Sequence, residues 1–328
     1  MRQLDTAPPN VPPLSDPTPA LVEYARRGVW RTAPALQLGR EVVTASGRFL
    51  VVAAPHEEEW ANTALSLPET WVEVLRSRRI GDRAADIFTF AQKLPDTERR
   101  FGYYAEPVSL AAVRVASFDE WWRDLPQETR KNVRRAEKRG LSLCVQALDD
   151  RLVRGIVGVN NDSPVRQGTR FAHYGKTFEQ VARDQSSYSD RSYFVCAYLG
   201  EELIGFVKLV RCGAAAHIMQ FLPKASHQDK RPANALMARA VRLCEEERIE
   251  FLVYGQLTYG NKTDSSLRDF KLRNGFEEIF VPRYYVPLTA KGRLALRLGL
   301  HRGLVGILPP RAISAATKLR AWWHGLKK

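Results

Sequence analysis

Cysteine is scarce in this 328-residue chain: Cys144, Cys196, Cys212 and Cys244 are scattered, with no CxxC or CxxH spacing. That excludes a disulfide framework and a cysteine-based zinc site, and leaves four buried free thiols as the expectation. Six histidines lack paired ligand spacing, so no metal site is expected. No run of 18 apolar residues occurs, which argues against a spanning helix. Residues 1–19 lack the apolar core of a secretory leader, so the chain is expected in the cytoplasm. No GxSxG elbow, phosphate-cradling Walker loop or HExxH pair is present. Acid is short as well: 36 Asp and Glu face 50 Lys and Arg, a net charge of +14 that predicts an anionic partner. With 45% hydrophobic and 26% charged residues, the composition excludes wholesale disorder and a fibre.

Six of the first 19 residues are proline, and residues 1–20 read as a disordered, extended arm unable to join a helix or a sheet ladder. Arg40–Thr44 and Arg48–Ala53 flank a turn at Ala45-Ser46-Gly47, a hairpin signal. His56–Ile80 reads as helix interrupted near Pro68, and Ala85–Leu94 and Phe101–Ala116 as strands. Ser117 caps a helix, and Pro126 opens another that Gly140 ends. Leu141–Ala147 is predicted as strand, Asp149–Asn160 as helix, 161–169 as loop and Phe178–Gln185 as helix. Tyr193–Leu199, Leu203–Val210 and Ala215–Leu222 form three apolar strands. A polar loop then leads to a helix that begins at Pro232. Phe251–Gly255 is a buried strand, Ser265–Asn274 a helix stopped by Gly275, and Phe276–Pro287 a last strand. The alternation predicts an α/β fold: a mixed open sheet flanked by helices.

Three clusters carry chemical potential. Arg130-Lys131-Asn132-Val133-Arg134-Arg135-Ala136-Glu137-Lys138-Arg139 holds six basic residues and one acid. Arg130, Arg134 and Lys138 recur at four-residue spacing beside Arg135, so one helix face is either simply solvated or binds phosphate. The strand-to-helix loop His227–Asn234 places Gln228, Lys230, Arg231, Ala233 and Asn234 around a helix N-terminus, a cradle for pyrophosphate. Ser265–Phe276 is a capped helix with a Gly-Phe exit, and Phe270 and Phe276 suit a core. Tyr174, Gln220, Tyr254, His227 and Asp264 fall at strand ends or in nearby loops, where an open sheet forms its cleft.

The element order, with RKNVRRAEKRG far upstream of SLRDFKLRNGF, resembles the GNAT acyltransferase superfamily, in its FemAB-like branch. The resemblance covers about Val113 to Pro287 and implies a GNAT/FemAB-like domain over 113–289. Residues 21–112 would be an N-terminal α/β subdomain, a reduced version of the extra half that branch often carries. It implies acyl transfer to an amine, with acyl-CoA (acetyl-CoA) or aminoacyl-tRNA as donor and no metal. In the donor-loop pattern Gln228 and Ala233 match, but Arg231 stands where the central glycine belongs, obstructing close backbone approach to pyrophosphate. Lys271 occupies the position where many GNAT enzymes place tyrosine and FemAB-like enzymes place lysine; it would neutralise charge on the acyl carbonyl or a substrate phosphate. His227 or Asp264 would serve as base, directly or through water. Arg130, Arg134, Arg135, Lys138, Tyr174, Gln220 and Tyr254 would bind the acceptor.

Residues 290–328 form a separate basic tail. From Lys291 to Lys328 there are nine Lys or Arg and no acid. Ala312, Ala315, Ala316, Leu319, Trp322, Trp323 and Leu326 share one helical face, suited to an anionic bilayer or to docking on the protein's own core. The combined expectation is an N-acyl, acetyl or aminoacyl transferase acting on an envelope sugar or peptide precursor at the cytoplasmic membrane face. Nucleic acid enters only as a tRNA donor. A soluble acetyl-CoA-dependent enzyme for small amines, and a catalytically silent module tethering to membrane or RNA, are the alternatives.

Overall fold

The computed structural model describes residues 16–26, 29–166, 168–258 and 265–302. It divides into two compact units. The first holds Leu65–Phe90 with the described residues up to Glu58 and from Tyr284; the second holds Glu59–Ala64 and Ala91–Arg283. The division falls near residues 91 and 284.

In the first unit, β1 (Thr18–Arg26), β2 (Val29–Leu38), β3 (Glu41–Ser46), β4 (Val52–Pro55) and β5 (Ile87–Ala91) are neighbours in that order. β1 to β4 are antiparallel, whereas β4 and β5 run parallel. The proline-rich arm thus joins a ladder from Thr18 on, with Pro19 opposite Leu36. β1 ends the strand order, a place where a missing N–H is tolerated. Residues 1–15 lie outside the described residues. The expected long helix over 56–80 reduces to a 3-10 turn at Glu58–Trp60 and α1 (Pro68–Ser77), which starts on proline. Trp71 of α1 is fully buried, and its indole N–H donates to Glu41 Oε2 at 2.6 Å.

The second unit carries β6 (Tyr104–Arg114), α2 (Phe118–Asp124), α3 (Gln127–Lys138), β7 (Leu141–Gln146) and α4 (Asp150–Asn160). A two-residue hairpin, β8 (Val165–Arg166) and β9 (Thr169–Arg170), occupies the predicted loop and is followed by α5 (Phe178–Gln185). Then come β10 (Ser192–Leu199), β11 (Glu202–Cys212), β12 (Ala215–Pro223), α6 (Pro232–Glu246), β13 (Phe251–Val253), α7 (Ser266–Arg273) and β14 (Glu277–Pro287). The sheet order is β14-β6-β13-β12-β11-β10-β7, mixed because β12 and β13 run parallel. Ser117 and Ser265 cap α2 and α7, accepting from Glu120 N and Arg268 N at 3.1 Å each. α8 (Ala290–Arg297) returns to the first unit.

One face of this sheet packs Leu236, Ala240 and Leu243 of α6 with Val133 and Ala136 of α3 and Trp121 of α2. The other packs Leu152 and Ile156 of α4 and Val181 of α5 against Phe194 and Phe206. β12 contains a bulge: Leu209 faces Ile218, but Lys208 faces Gln220, leaving Met219 as the extra residue. The unit is a GNAT-like mixed α/β layer fold, as expected.

Candidate active site

β12 and β13 pair at only three positions, from Ala215 opposite Phe251 to His217 opposite Val253. Beyond that point β13 stops, while β12 continues to Pro223. Two parallel strands that part in mid-sheet open a notch at their carboxyl ends, the usual place for a ligand in an open α/β sheet. Phe221, Tyr254 and Phe270 meet there, with ring centroids 5.8 and 5.4 Å from Phe221.

Lys271 lies beside the notch. α7 projects it inward, and its side chain is fully buried. Its ammonium donates to Tyr254 O at 2.5 Å and Gln256 O at 2.6 Å, and sits 4.4 Å from the Tyr254 ring centroid. Burial pulls its pKa down to about 8. The ammonium therefore ties α7 to the chain leaving β13 and places a titratable cation where the strands separate. Asn274 and Gly275 close the helix behind it: Asn274 O accepts from the Trp121 indole at 2.9 Å. Gly275 takes φ +79°.

The loop expected from sequence to take the donor is a 3-10 turn, Ala225–Lys230, running into α6. Arg231 has φ 57° and ψ 39° and makes no side-chain cap. A non-glycine residue in this left-handed region is strained by about 1–2 kcal/mol. Arg231 thus stands where the resembled pattern has glycine, and its backbone takes a glycine-like conformation. Pro232 opens α6, and Ala233 and Asn234 follow in the first turn, where helical N–H groups have no intrahelical acceptor. Gln228 O accepts from Arg231 N at 3.0 Å, and Lys230 pairs with Asp229 at 3.1 Å.

His227 belongs to the anchor of this loop. Asp162 accepts from Ala225 N at 2.6 Å and from the Ser226 hydroxyl, whose Oγ lies 3.0 Å from His227 Nδ1. His227 Nε2 is 3.7 Å from Glu202, which also pairs with Lys224 at 2.5 Å. Burial pushes the Asp162 carboxyl up, but the Ser226 and Ala225 bonds outweigh it and hold it below its ordinary range. Asp264, the other candidate base, lies outside the described residues.

The basic helix divides by residue. Arg135 is tied to Glu128 at 3.0 Å and Asn132 at 3.2 Å, Arg130 donates to Arg123 O at 3.3 Å, and Lys138 is exposed. Arg134 instead stands 5.7 Å from the Trp122 ring and lines a cavity of about 460 Å³. Phe118, Trp122, Val133 and Leu143 give that cavity an apolar floor, and Arg239 and Arg242 of α6 face Arg134 across it. The Arg242 guanidinium lies 3.8 Å from the Phe118 ring centroid. These two arginines were not predicted from sequence: they sit three apart on α6, and only the packing of α3 against that helix brings them to Arg134. Tyr174 is exposed in the loop before α5.

A second polar cluster occupies the opposite sheet face. Lys208 is fully buried and donates to Gln185 O, Ser187 O and Ser187 Oγ at 2.8, 2.8 and 2.9 Å. Gln185 Nε2 donates to Gln220 Oε1 at 2.6 Å. Burial lowers the Lys208 pKa to about 8, although Asp184 opposes the shift. His217, edge-on to Trp60 at 6.1 Å, is kept neutral, its pKa pushed to about 4 by burial and by Lys93. No group of three or more His, Cys, Asp or Glu able to hold a metal occurs among the described residues.

No family model and no curated protein matches the chain. Solved structures do. The crystal structure of FemX superposes with TM-score 0.54 at 10% identity, over 86% of this chain and 90% of that one. A domain named as the C-terminal part of a lysylphosphatidylglycerol synthetase from Agrobacterium fabrum gives TM-score 0.50 at 15% identity, over 79% and 84%. L-PGS from Bacillus licheniformis gives 0.50 at 14% identity, over 82% and 86%. The fold is therefore GNAT-like and of the FemAB-like kind, as the two sequence motifs implied.

Proposed function

We propose that the protein is an acyltransferase that forms an amide on an amino group of an envelope sugar or peptide precursor. The reading is carried by the Lys271 ammonium, buried against the Tyr254 and Gln256 carbonyls where β12 and β13 part, in a fold similar to FemX. The donor, an acyl thioester such as acetyl-CoA or an aminoacyl-tRNA, enters along Gln228–Asn234. The acceptor amine attacks the acyl carbonyl; the new C–N bond forms and the C–S or C–O bond to the carrier breaks. Lys271 offsets the negative charge that builds on the carbonyl oxygen or on a substrate phosphate, and the amine proton passes to water or to a nearby base. Most of the acceleration then comes from holding the two substrates together. His227, bound to Ser226 and near Glu202, fits better as a support of the donor loop than as the base.

Arg134 and Arg242 above an aromatic floor suit a phosphate-bearing substrate, through guanidinium contacts to its oxygens. Arg239 in the same lining is held by Glu246, and Asp119 and Glu137 reduce the positive charge. The basic tail suits an anionic membrane surface on the cytoplasmic side; residues 303–328 of it lie outside the described residues. No described helix is long and apolar enough to cross a membrane. The glycine-like backbone at Arg231 favours a working donor loop over a silent tethering module. The test is native mass spectrometry of the full chain mixed separately with acetyl-CoA and with aminoacylated tRNA, followed by transfer assays with whichever binds. Binding of one donor, with turnover that Lys271→Met abolishes, is expected. Binding of neither would overturn the reading.

A further inference from the structure

α8 presents its apolar side chains on the wrong face for a surface helix. Its inner face is fixed by Gly292, where a Cβ would meet Asp86 O at 1.9 Å, and by Ala295, which is buried. Opposite them, one turn apart, are Leu294 and Leu298, 57% and 59% exposed. Arg293, Arg297 and Lys291 flank these leucines and are exposed too. A helix docked on a core ordinarily turns its polar side to water. Here Leu294 and Leu298 form one outward strip, with Arg297 along one edge and Lys291 along the other.

The β3–β4 loop extends this surface. Lys291 Nζ donates to Phe49 O at 2.8 Å, so the loop tip abuts the first turn of α8. Phe49 is 84% exposed, beside Arg48, whose guanidinium is 5.8 Å from its ring. Lone exposed leucines need no explanation. Two leucines and a phenylalanine on adjoining elements of one unit, bordered by arginines, form a patch that calls for an occupant.

We infer that Phe49, Leu294 and Leu298, ringed by Arg48, Arg293 and Arg297, dock on an anionic lipid bilayer. Charge selects this occupant. Leu288 to Lys328 contains no acid, and residues 303–328 add Arg311, Lys318, Arg320, Lys327 and Lys328. Folding that basic segment onto a basic rim would set like charges together, whereas an anionic surface attracts both. Apolar side chains enter the acyl boundary while guanidiniums stay at headgroup level. The inference rests on the membrane part of the proposed function and deepens it: it assigns the contact to the described start of the tail, Lys291–Leu298, and adds Phe49 and Arg48 of the β3–β4 loop.

The test is co-sedimentation of the full chain with phosphatidylcholine vesicles, with and without phosphatidylglycerol, at low and high salt. Anionic vesicles should bind the wild type, and salt should weaken binding. Leu294→Ser with Leu298→Ser should weaken it about tenfold and Phe49→Ser about fivefold, because each removes apolar area from the lipid contact. Phe49→Trp should bind at least as well as the wild type, and all variants should melt as the wild type does. Unchanged binding in both serine variants, or equal binding to phosphatidylcholine alone, would overturn the proposal. So would a lipid-independent dimer that the leucine variants dissolve, which would assign the patch to a second copy. Transfer to a soluble acceptor should be the same in all variants, so loss of the catalytic reading would leave the sedimentation result standing.

Discussion

Two lysines in the second unit have every outward sign in common and sit in different chemistry. Lys208 and Lys271 are both fully buried, both donate to backbone carbonyls, and both have a pKa lowered to about 8 by burial. Lys208 lies inside an antiparallel ladder, beside its bulge and opposite Gln220, and holds the end of α5 and the turn after it through Gln185 and Ser187. Lys271 lies where a ladder stops. Burial and a depressed pKa therefore do not mark a catalytic lysine by themselves. What separates the two is whether the backbone around the ammonium is closed or parting.

The largest expected difference is in rate. Lys271→Met should slow transfer on the order of 10²–10³-fold, the usual loss when one charge-stabilising donor is removed, in an assay scaled to folded protein. Lys208→Met should leave turnover per folded molecule within about threefold; a loss as large as that of Lys271→Met would erase the distinction.

Next is stability. Lys208→Met strands three buried acceptors and should cost about 2–3 kcal/mol in urea unfolding. Lys271→Met strands two carbonyls and should cost somewhat less.

The pH dependence comes third. Because the folded pKa of each lysine lies near 8 and the ordinary value is 10.5, the unfolded chain binds more protons between those values. Each lysine's contribution to stability therefore rises with pH from about 8 to about 10.5 and is lost as pH falls through 8. Each methionine variant should flatten that rise. In transfer, a fall in rate above about pH 8 should move to higher pH in Lys271→Arg and stay in place in Lys208→Arg.

The smallest effect concerns the donor loop. Arg231→Gly should relieve about 1 kcal/mol of backbone strain while weakening donor binding several-fold. Weaker binding without a rise in melting temperature would show that the left-handed backbone carries no strain there.

Much of the second unit could be read from sequence because local signals and burial agree in it. Ser117, Ser265, Pro232 and Gly275 mark ends that the structure confirms, and the apolar runs at 193–222 pair in sequence order. The first unit was less legible. Pro19 argues against a strand everywhere except at a sheet edge, and edge position is a tertiary fact. Acidic 56–67 has helical composition but forms only the 3-10 turn at Glu58–Trp60. Lys271 could be picked out from its motif. Lys208 was signalled only as a single charge within Leu203–Val210, and Arg239 and Arg242 only by which face of α6 meets α3.

The extra residue in β12 has a consequence for how this chain can change over time. Side chains alternate strictly along a strand, so Met219 shifts the count: Ile218 joins the α6 face, and Gln220 joins Lys208 on the other. Deleting Met219 would restore a regular ladder with Gln220 still opposite Lys208, whereas regularising the ladder at full length would put Met219 opposite Lys208 and turn Gln220 and Phe221 inside out. A one-residue deletion at 219 should therefore leave the faces of β12 as they are and cost only the local bend, whereas loss of the bulge at constant length should not be tolerated.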